Sequence, residues 1–412
     1  MKVGIIAIGS EVVSGQTINT NAGFISNELE SLGFDPLIHI SVKDNIKEVH
    51  LALREVLNIA DIAITTGGLG PTPDDLTHEA ICSFLKVKPK QDKKVLKQIK
   101  NKFLLRGYKK MPPMNIKQSY KPKEAKWIQN KTGTANGIIW KIKSSKLILT
   151  FPGVPAELKQ MWEDTAKPYL KKLKTKSYTY SKTLKFTGIG ESALAEKIKP
   201  LLLLKEPVIA TYAELGQIKV RITAKEKSIK KAKKIASAFS KKVLRKTKKY
   251  YFGEDDETLE SLIAAKLIKS KRTLATAESC TGGLLSKRLT DISGSSKFFK
   301  LSVVTYSNDT KSKLLNVSEK TLEKYGAVSS QTASEMAKGI QKLAKSNIGF
   351  SITGIAGPKG GSKAKPVGLV YFGLAKGKSI KTKNVFFGKD RGRNEIRTLA
   401  AQYALNWLHQ EL

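Results

Sequence analysis

The sequence predicts an α/β protein, with two α/β sandwich domains that have parallel-rich sheets and are joined by a small α+β domain. The chain has 412 residues, more than one compact domain usually holds. Short apolar runs alternate with segments of helical spacing near both ends of the chain. The acidic run 253–257 interrupts an otherwise basic sequence, which indicates a domain boundary.

The first predicted domain, residues 1–173, alternates strands and helices. Its predicted elements are strand 3–8, helix 20–32, strand 37–42, helix 46–57 and strand 61–66. This order predicts parallel pairing with right-handed crossovers, and ligands of such sheets gather at the carboxyl ends of the strands. The loops that begin at Gly9, Val42 and Thr66 are therefore candidate ligand loops.

Two further domains are predicted at residues 174–252 and 253–412. The small domain has predicted strands at 178–186, 208–212, 218–223 and 250–252 and helices at 192–204 and 229–243. The last domain has predicted strands at 273–277, 302–306, 348–353, 367–375 and 385–387 and helices at 259–270, 283–290 and 394–410. No repeat relates the two halves.

The net charge of +39 suggests nucleic acid, but the residue types weaken that interpretation. The cations are 65 Lys and nine Arg, whereas base and phosphate readers favour Arg forks. Residues 88–126 and 219–249 are dense in Lys, yet both have few aromatic side chains for base stacking. Solvated basic faces are the favoured interpretation, and a nucleic-acid or anion surface is the alternative.

Cysteine usage and hydropathy predict a reduced, cytoplasmic protein without a membrane partner. Cys82 and Cys280 cannot form a disulfide scaffold or a four-ligand zinc site. No apolar run reaches the roughly 20 residues that span a bilayer. Residues 1–11 are interpreted as a buried strand rather than a signal peptide.

The most informative segment is Ala275-Thr-Ala-Glu-Ser-Cys-Thr-Gly-Gly283. A predicted buried strand runs into Ser279, and two glycines then open a helix. The Ser279 hydroxyl would lie beside backbone N–H groups at a helix N-terminus, where anions and oxyanions are stabilised. A serine at this position is either a nucleophile or a helix cap, and the segment alone leaves both open.

A serine nucleophile needs a general base. The single histidine of the last domain, His409, lies next to the chain end on the last predicted helix, so a Ser-His-Asp triad is not favoured. A lysine can replace it when burial lowers its pKa toward neutrality. Lys311, which follows a predicted strand end at Tyr306, is the candidate base, and an exposed lysine in a turn is the alternative.

Two other segments of the last domain could bind an anion. Residues 351–361 form a predicted strand that ends in a glycine-rich loop, whose N–H groups could cradle a phosphate. Arg391, Arg393 and Arg397 cluster at the start of the last helix, which suggests bidentate recognition of a phosphate or carboxylate. Salt bridges along the helix are the alternative.

Carboxylates follow the strands of the first domain. Asp74 and Asp75 come after a glycine-rich loop, and Asp44 and Glu11 follow the other two strands. Such a set suits a hard cation, Mg²⁺ for example, that bridges a pyrophosphate. Helix capping by Asp74 or Asp75 is the alternative.

These motifs, taken in order, resemble the CinA family over nearly the whole chain. The last domain resembles the CinA C-terminal domain, whose activity is nicotinamide-nucleotide amidase, through Ala277-Glu-Ser-Cys-Thr-Gly-Gly283, Thr305-Tyr-Ser-Asn308, Gly354-Ile-Ala-Gly-Pro358 and Pro366-Val-Gly368. The first domain resembles a molybdopterin-binding-like domain through Gly9-Ser-Glu11, Thr65-Thr-Gly-Gly-Leu-Gly-Pro71, Gly133-Thr-Ala135 and Pro152-Gly-Val-Pro155.

For the C-terminal domain, the resemblance implies hydrolysis of nicotinamide mononucleotide to nicotinate mononucleotide and ammonia, without a cofactor. It makes Ser279 the nucleophile and Lys311 its base, lets Tyr306 and Thr353 position the amide, and assigns the substrate phosphate to Arg391. The further substrate contacts are Thr281, Gly282, Gly283, Asn308, Gly354 and Gly357.

For the N-terminal domain, the resemblance implies an ADP-ribose pyrophosphatase that uses Mg²⁺ or a similar divalent cation, held by Asp44, Asp74 and Asp75. The implied nucleotide contacts are Gly9, Asn19, Gly67, Gly68, Gly133 and Thr134. It also implies a homodimer.

The middle domain resembles a KH-like domain of the same family. Its Gly188-Ile-Gly190 segment is not the Gly-x-x-Gly loop with which KH domains grip RNA, so a spacer or dimer element is favoured. Two rival functions remain open: a basic, nucleic-acid-associated competence protein, and a pterin-binding module whose N-terminal domain performs no hydrolysis.

Overall fold

The N-terminal part of the chain contains one large sheet flanked by helices. The structure, a computed structural model, describes residues 1–142, 146–173 and 178–412. In chain order the elements are β1 (Lys2–Ile8), α1 (Ser10–Val13), α2 (Thr20–Ser31), β2 (Asp35–Val42), α3 (Ile46–Ile59), β3 (Ile62–Thr66), α4 (Thr77–Phe84), β4 (Lys90–Gln91), α5 (Lys93–Leu105), β5 (Tyr120–Lys121), β6 (Lys126–Ile128), β7 (Gly137–Lys141), β8 (Leu147–Phe151), α6 (Pro155–Met161) and α7 (Lys167–Leu170).

The large sheet has the strand order β2-β1-β3-β8-β7-β6. The strands β2, β1 and β3 are parallel, as predicted; β8, which carried no prediction, is parallel to β3, and β7 and β6 add an antiparallel edge. Every residue of β3 is buried because helices cover both faces of the sheet. Leu29 and Trp162 pack on one face, and Leu53 and Ile81 pack on the other.

The middle part forms a smaller sheet with two helices. Its elements are β9 (Tyr178–Phe186), α8 (Glu191–Leu202), β10 (Val208–Glu214), β11 (Gln217–Glu226), α9 (Ile229–Thr247) and β12 (Tyr251–Glu254), with the strand order β10-β11-β9-β12. The Lys-rich α9 buries Ala232, Ala236, Ser240 and Val243, spaced three or four residues apart, and exposes its lysines.

The C-terminal part is a second α/β arrangement. Its elements are α10 (Leu259–Lys269), β13 (Leu274–Glu278), α11 (Leu284–Thr290), β14 (Phe299–Val304), α12 (Asn308–Leu315), α13 (Glu319–Tyr325), α14 (Ser330–Leu343), β15 (Ile348–Gly354), β16 (Leu369–Lys376), β17 (Ser379–Phe386) and α15 (Arg393–Glu411). The strand order is β14-β13-β15-β16-β17, in which β14, β13 and β15 are parallel and the rest are antiparallel.

The predicted fold class, α/β with parallel-rich sheets, is confirmed. Three helices between residues 307 and 347 carried no prediction. Two of them are short, and α12 buries only Lys311 and Leu315. The third, α14, is an amphipathic helix of 14 residues whose spacing the sequence analysis missed. The strand predicted to end at Tyr306 ends at Val304, so Tyr306 lies in a loop.

The chain packs as two compact units, residues 1–181 with 223–236 and residues 182–222 with 237–412. The division passes through β9, β11 and α9, and the three-domain boundaries stay a prediction. Within the described ranges, no helix combines the length and apolar character that crossing a membrane requires.

Candidate active site

Ser279 lies where three parallel strands of the C-terminal sheet end. It directly follows β13, and its N–H donates to the carbonyl of Ile352 on β15 at 3.0 Å. On the other side, the N–H of Thr305 donates to the carbonyl of Glu278 at 2.9 Å. Parallel pairing therefore brings the loops after β13, β14 and β15 to one edge, as expected for a ligand site in such a sheet.

Lys311 provides the amine that the sequence analysis required beside Ser279. Its Nζ lies 3.4 Å from Ser279 Oγ and donates to the carbonyl of Thr305 at 2.8 Å. The side chain is 1% exposed, although lysine is almost never buried without a paired charge. Burial lowers the pKa of the Lys311 ammonium below its ordinary value. The amine can therefore be neutral at a lower pH than a surface lysine, as a general base must be.

A buried carboxylate, Glu278, holds the turn that carries Ser279. Glu278 is completely buried and accepts hydrogen bonds from the N–H groups of Leu285 and Ser286, at 3.2 and 2.8 Å, and from the Ser286 hydroxyl. These N–H groups belong to the first turn of α11, so the carboxylate closes that helix end. The sequence singled out Glu278 only as part of a motif; its position as the one charged residue of β13 was the signal for this role.

The position of Glu278 corrects the predicted oxyanion site. The N–H groups at the start of α11 were expected to stabilise an oxyanion, but Glu278 already occupies those of Leu285 and Ser286. In the described part of the chain, the backbone N–H groups of Thr281 and Gly283 donate no hydrogen bond. The N–H groups of Thr281 and Gly283 in the turn, rather than those of the helix, are therefore available as donors to an oxyanion. Ser279 does not cap α11, whose N-cap residue is Gly283 with a left-handed φ of 89°.

The three clustered arginines have different partners. Arg393 donates to the Tyr306 hydroxyl at 2.7 Å and to the Gly357 carbonyl at 2.8 Å, and Arg397 donates to the Thr281 carbonyl at 2.9 Å. Arg391 instead contacts its own segment, the carbonyl of Phe387 and the carboxylate of Glu395. The predicted phosphate ligand Arg391 is thus the arginine without a described contact to the loops around Ser279.

The other predicted residues of this domain surround the same strand ends. Tyr306 is 60% exposed, so its ring lies at the surface, and Asn308 is the exposed first residue of α12. Thr353 is buried and its hydroxyl donates to the Ala327 carbonyl at 2.8 Å, so its side chain fixes the neighbouring backbone. Gly354 ends β15, and Gly357 adopts a left-handed φ of 77°.

A cavity of about 450 Å³ lies at the carboxyl edge of the N-terminal sheet. Of the predicted nucleotide contacts, Gly9, Gly67, Gly68 and Thr134 line it. Gly133 lies one residue away along the chain. Asn19 accepts a hydrogen bond from the N–H of Ala22 and so caps α2. It is not among the described residues that line the cavity.

Gly67 is needed for the close approach of two loops in this cavity. Its φ is +100°, and a Cβ there would meet the Ile8 carbonyl oxygen at 2.0 Å. Only glycine fits such a backbone without a clash.

The predicted metal ligands Asp44, Asp74 and Asp75 all line this cavity, together with Glu11 and Glu157. Asp75 accepts from the N–H of Thr72 at 2.9 Å, and the N-cap position of α4 is Leu76, so the capping alternative is wrong. Across the described ranges, however, no three His, Cys, Asp or Glu side chains converge closely enough to hold a metal ion. The carboxylates fit Mg²⁺ only in its usual mode, with one or two protein carboxylates and the remaining positions filled by water and phosphate.

Three family models match successive parts of the chain. A probable molybdopterin binding domain matches residues 4–172, the KH domain of damage-inducible protein CinA matches 181–253, and the CinA C-terminal domain matches 256–412.

Curated relatives resemble the chain over its full length. The CinA-like protein of Prochlorococcus marinus (strain MIT 9515) is 44% identical over 409 residues, 98% of this chain and 94% of the relative. The CinA-like protein of Microcystis aeruginosa is 44% identical over 414 residues, 100% of this chain and 99% of the relative. A solved structure, competence/damage inducible protein CihA from Agrobacterium tumefaciens, is 41% identical and covers 36% of this chain and 93% of its own, with a TM-score of 0.35.

The hydrogen bonds of Glu278 predict that replacing its carboxylate by an amide of the same size destabilises the protein. We expect Glu278→Gln to lower the free energy of unfolding by about 2 kcal/mol, because it replaces charge-assisted hydrogen bonds and presents an NH₂ group to N–H donors. Urea unfolding followed by circular dichroism measures the loss. Glu319→Gln, on an exposed first-turn carboxylate of α13, is the matched control and should change little. Equal midpoints for the two variants would contradict this role of Glu278.

Proposed function

The chain belongs to the CinA family, and on this premise we propose that its C-terminal domain is a nicotinamide-nucleotide amidase with a Ser-Lys mechanism. The supporting observation is the 3.4 Å separation of Ser279 Oγ and Lys311 Nζ, with the amine buried. The reaction is nicotinamide mononucleotide plus water giving nicotinate mononucleotide plus ammonia.

The first half of the reaction forms an acyl-enzyme. Neutral Lys311 takes the proton of the Ser279 hydroxyl, and Oγ attacks the carboxamide carbon. The N–H groups of Thr281 and Gly283, which have no described acceptor, stabilise the oxyanion that develops. The C–N bond then breaks, the Lys311 ammonium returns its proton to the leaving nitrogen, and ammonia departs.

The second half releases the product. Lys311 is neutral again after ammonia departs, so it can take a proton from water as the water attacks the ester carbon. Breaking the C–O bond frees Ser279, which regains its proton from Lys311, and nicotinate mononucleotide leaves. Contacts with the Thr305 and Tyr306 carbonyls, at 2.8 and 3.5 Å, and with the Ser279 hydroxyl keep the amine aligned through both halves. No cofactor takes part in these steps.

The substrate phosphate is held by the arginine cluster at the start of α15. Arg391 is the ligand that the resemblance implies. The contacts of Arg393 with Tyr306 and Gly357 and of Arg397 with Thr281 favour these two as well, because they face the loops around Ser279. Guanidinium groups suit this task, since their forked donors match phosphate oxygens.

Removing either member of the pair should abolish most activity. We expect Ser279→Ala and Lys311→Met each to lower kcat for ammonia release from nicotinamide mononucleotide by roughly 10³-fold or more, as for other nucleophile and base deletions. Lys313→Met, an exposed lysine on the same helix with a side chain 73% exposed, is the control and should retain full activity. Wild-type rates in the Ser279 or Lys311 variants would exclude the proposed mechanism.

The pH dependence should reveal the base. Protonated Lys311 cannot accept the serine proton, so kcat/KM should rise with pH as the amine loses its proton and then level off. Because burial lowers the pKa of Lys311 from its ordinary value of 10.5, the midpoint of this rise should lie clearly below 10.5. A pH profile of the wild type from pH 5 to 10.5 measures it. A rise centred near 10.5, or a flat profile, would contradict a buried amine base.

A second candidate function is hydrolysis of ADP-ribose in the N-terminal domain. It rests on the carboxylates that line one cavity beside the loop 67–70. Asp44, Asp74 and Asp75 would hold the divalent cation, which supplies charge neutralisation of a bound pyrophosphate. The glycine-rich backbone gives phosphate oxygens close access to N–H groups.

AMP release from ADP-ribose with Mg²⁺ tests this second function. We expect Asp75→Asn to reduce the rate by at least tenfold and EDTA to abolish it, whereas Asp164→Asn, at an ion pair with Lys131 outside the cavity, should have no effect. Ser279→Ala should leave AMP release unchanged, because it alters the other unit. No AMP release by the wild type would favour a pterin-binding module instead.

A further inference from the structure

A second cavity of the N-terminal domain lies at the opposite edge of the sheet from the glycine-rich loops. Its volume is about 570 Å³, within the range of small-molecule sites. The ends of α3, α4 and β7 and the start of β8 surround it. Leu147 begins β8 and pairs with Ile62 at the start of β3, so this is the amino edge of the parallel strands. The acidic cavity described above lies at the carboxyl edge.

The walls of this cavity are mostly apolar. Leu57 is buried at the end of α3, and the chain reverses after α4 at Lys86, whose φ is +54°. The N–H of Val87 then donates to the Cys82 carbonyl at 2.9 Å, which brings Val87 back against the domain. The apolar lining residues are Leu57, Phe84, Leu85, Val87, Trp140 and Ile142.

Trp140 presents an unused hydrogen-bond donor to the cavity. The residue is 5% exposed and its side chain lines the cavity. Among the described residues its indole N–H has no acceptor. The nitrogen is nevertheless not one of the fully buried polar atoms. The indole nitrogen is therefore not sealed inside the core, and the residue that carries it lines the cavity. Since buried tryptophans usually satisfy this group, an acceptor on a bound molecule fits here.

The charges around the cavity favour an anion. Arg54, Lys141 and Lys146 line it with a single acid, Glu124. The Lys146 amine donates to the Leu57 carbonyl. The Arg54 guanidinium, by contrast, forms no hydrogen bond or ion pair within the described ranges. An unpaired guanidinium beside an apolar wall suits a carboxylate or sulfonate attached to an apolar body.

We propose that this cavity binds a small amphipathic organic acid. Its aromatic or alkyl body fills the apolar walls, and its anionic group accepts from the Trp140 indole and pairs with Arg54. The lining residues of the cavity are not among those of either proposed reaction centre. The organic acid would therefore be a third ligand, which binds whether or not a nucleotide is bound.

Fluorescence titration of the full chain with 8-anilinonaphthalene-1-sulfonate tests the site, with decanoate and decanol as competitors. We expect saturable one-site binding and displacement by decanoate at concentrations at which decanol has little effect. Val87→Trp, which fills the cavity, should weaken binding at least tenfold. Arg54→Gln should weaken it about tenfold, as loss of a charged partner does, and should remove the preference for decanoate over decanol.

Two variants on α3, the helix that carries Arg54, serve as controls. Leu51→Trp adds a ring at a residue that is 56% exposed and outside the cavity, and Lys47→Gln removes an exposed cation; both should bind as the wild type does. Trp140→Phe keeps the ring, loses the N–H and should weaken binding measurably even if Val87→Trp disturbs folding. Unchanged affinity in Arg54→Gln and Trp140→Phe, or no saturable binding by the folded wild type, would overturn the proposal.

Discussion

The candidate active site depends on the burial of one carboxylate, Glu278. This side chain lies at the end of β13, and its oxygens satisfy the first N–H groups of α11. Between the strand and the helix the chain must turn within five residues, and Gly282 and Gly283 do so with left-handed φ values of 57° and 89°. The Glu278 carboxylate thus connects the end of β13 to the start of α11 across the turn. This connection holds the Ser279 hydroxyl at a fixed place on the sheet edge.

The same sheet edge buries Lys311, whereas most lysines in the described part of the chain are exposed. The polar neighbours of the Lys311 amine are the carbonyls of Thr305 and Tyr306 and the hydroxyl of Ser279. Removing an ammonium from water without a compensating carboxylate is unfavourable. Burial therefore lowers the pKa of the Lys311 ammonium and places its amine beside the Ser279 hydroxyl.

The sequence predicted the fold class, the first three parallel strands and the neighbours Ser279 and Lys311, because strand ends and glycine turns are local signals. It did not predict β6, β7 and β8 or the antiparallel edges of the two large sheets. It did not predict that Glu278 would occupy the helix N-terminus, since that depends on which way a buried side chain faces. It proposed the cluster of Arg391, Arg393 and Arg397 for an anion, and the resemblance singled out Arg391. The contacts of Arg393 with Tyr306 and Gly357 join segments 87 and 36 residues apart, which no spacing rule reveals. The carboxylates Asp44, Asp74 and Asp75 were correctly expected at one crevice, but sequence spacing could not show that they do not converge.

The neighbour of Ser279 decides how the site responds to oxidants and electrophiles. Cys280 is 5% exposed and packs among apolar residues of the core, including Leu285 and Ile352. Burial raises the pKa of its thiol to about 12, so almost none of it is thiolate at neutral pH, and thiolate is the reactive form. Peroxide and alkylating agents therefore meet an unreactive sulfur next to Ser279, which is itself only 8% exposed, and the chemistry of the turn does not depend on the redox state of its surroundings.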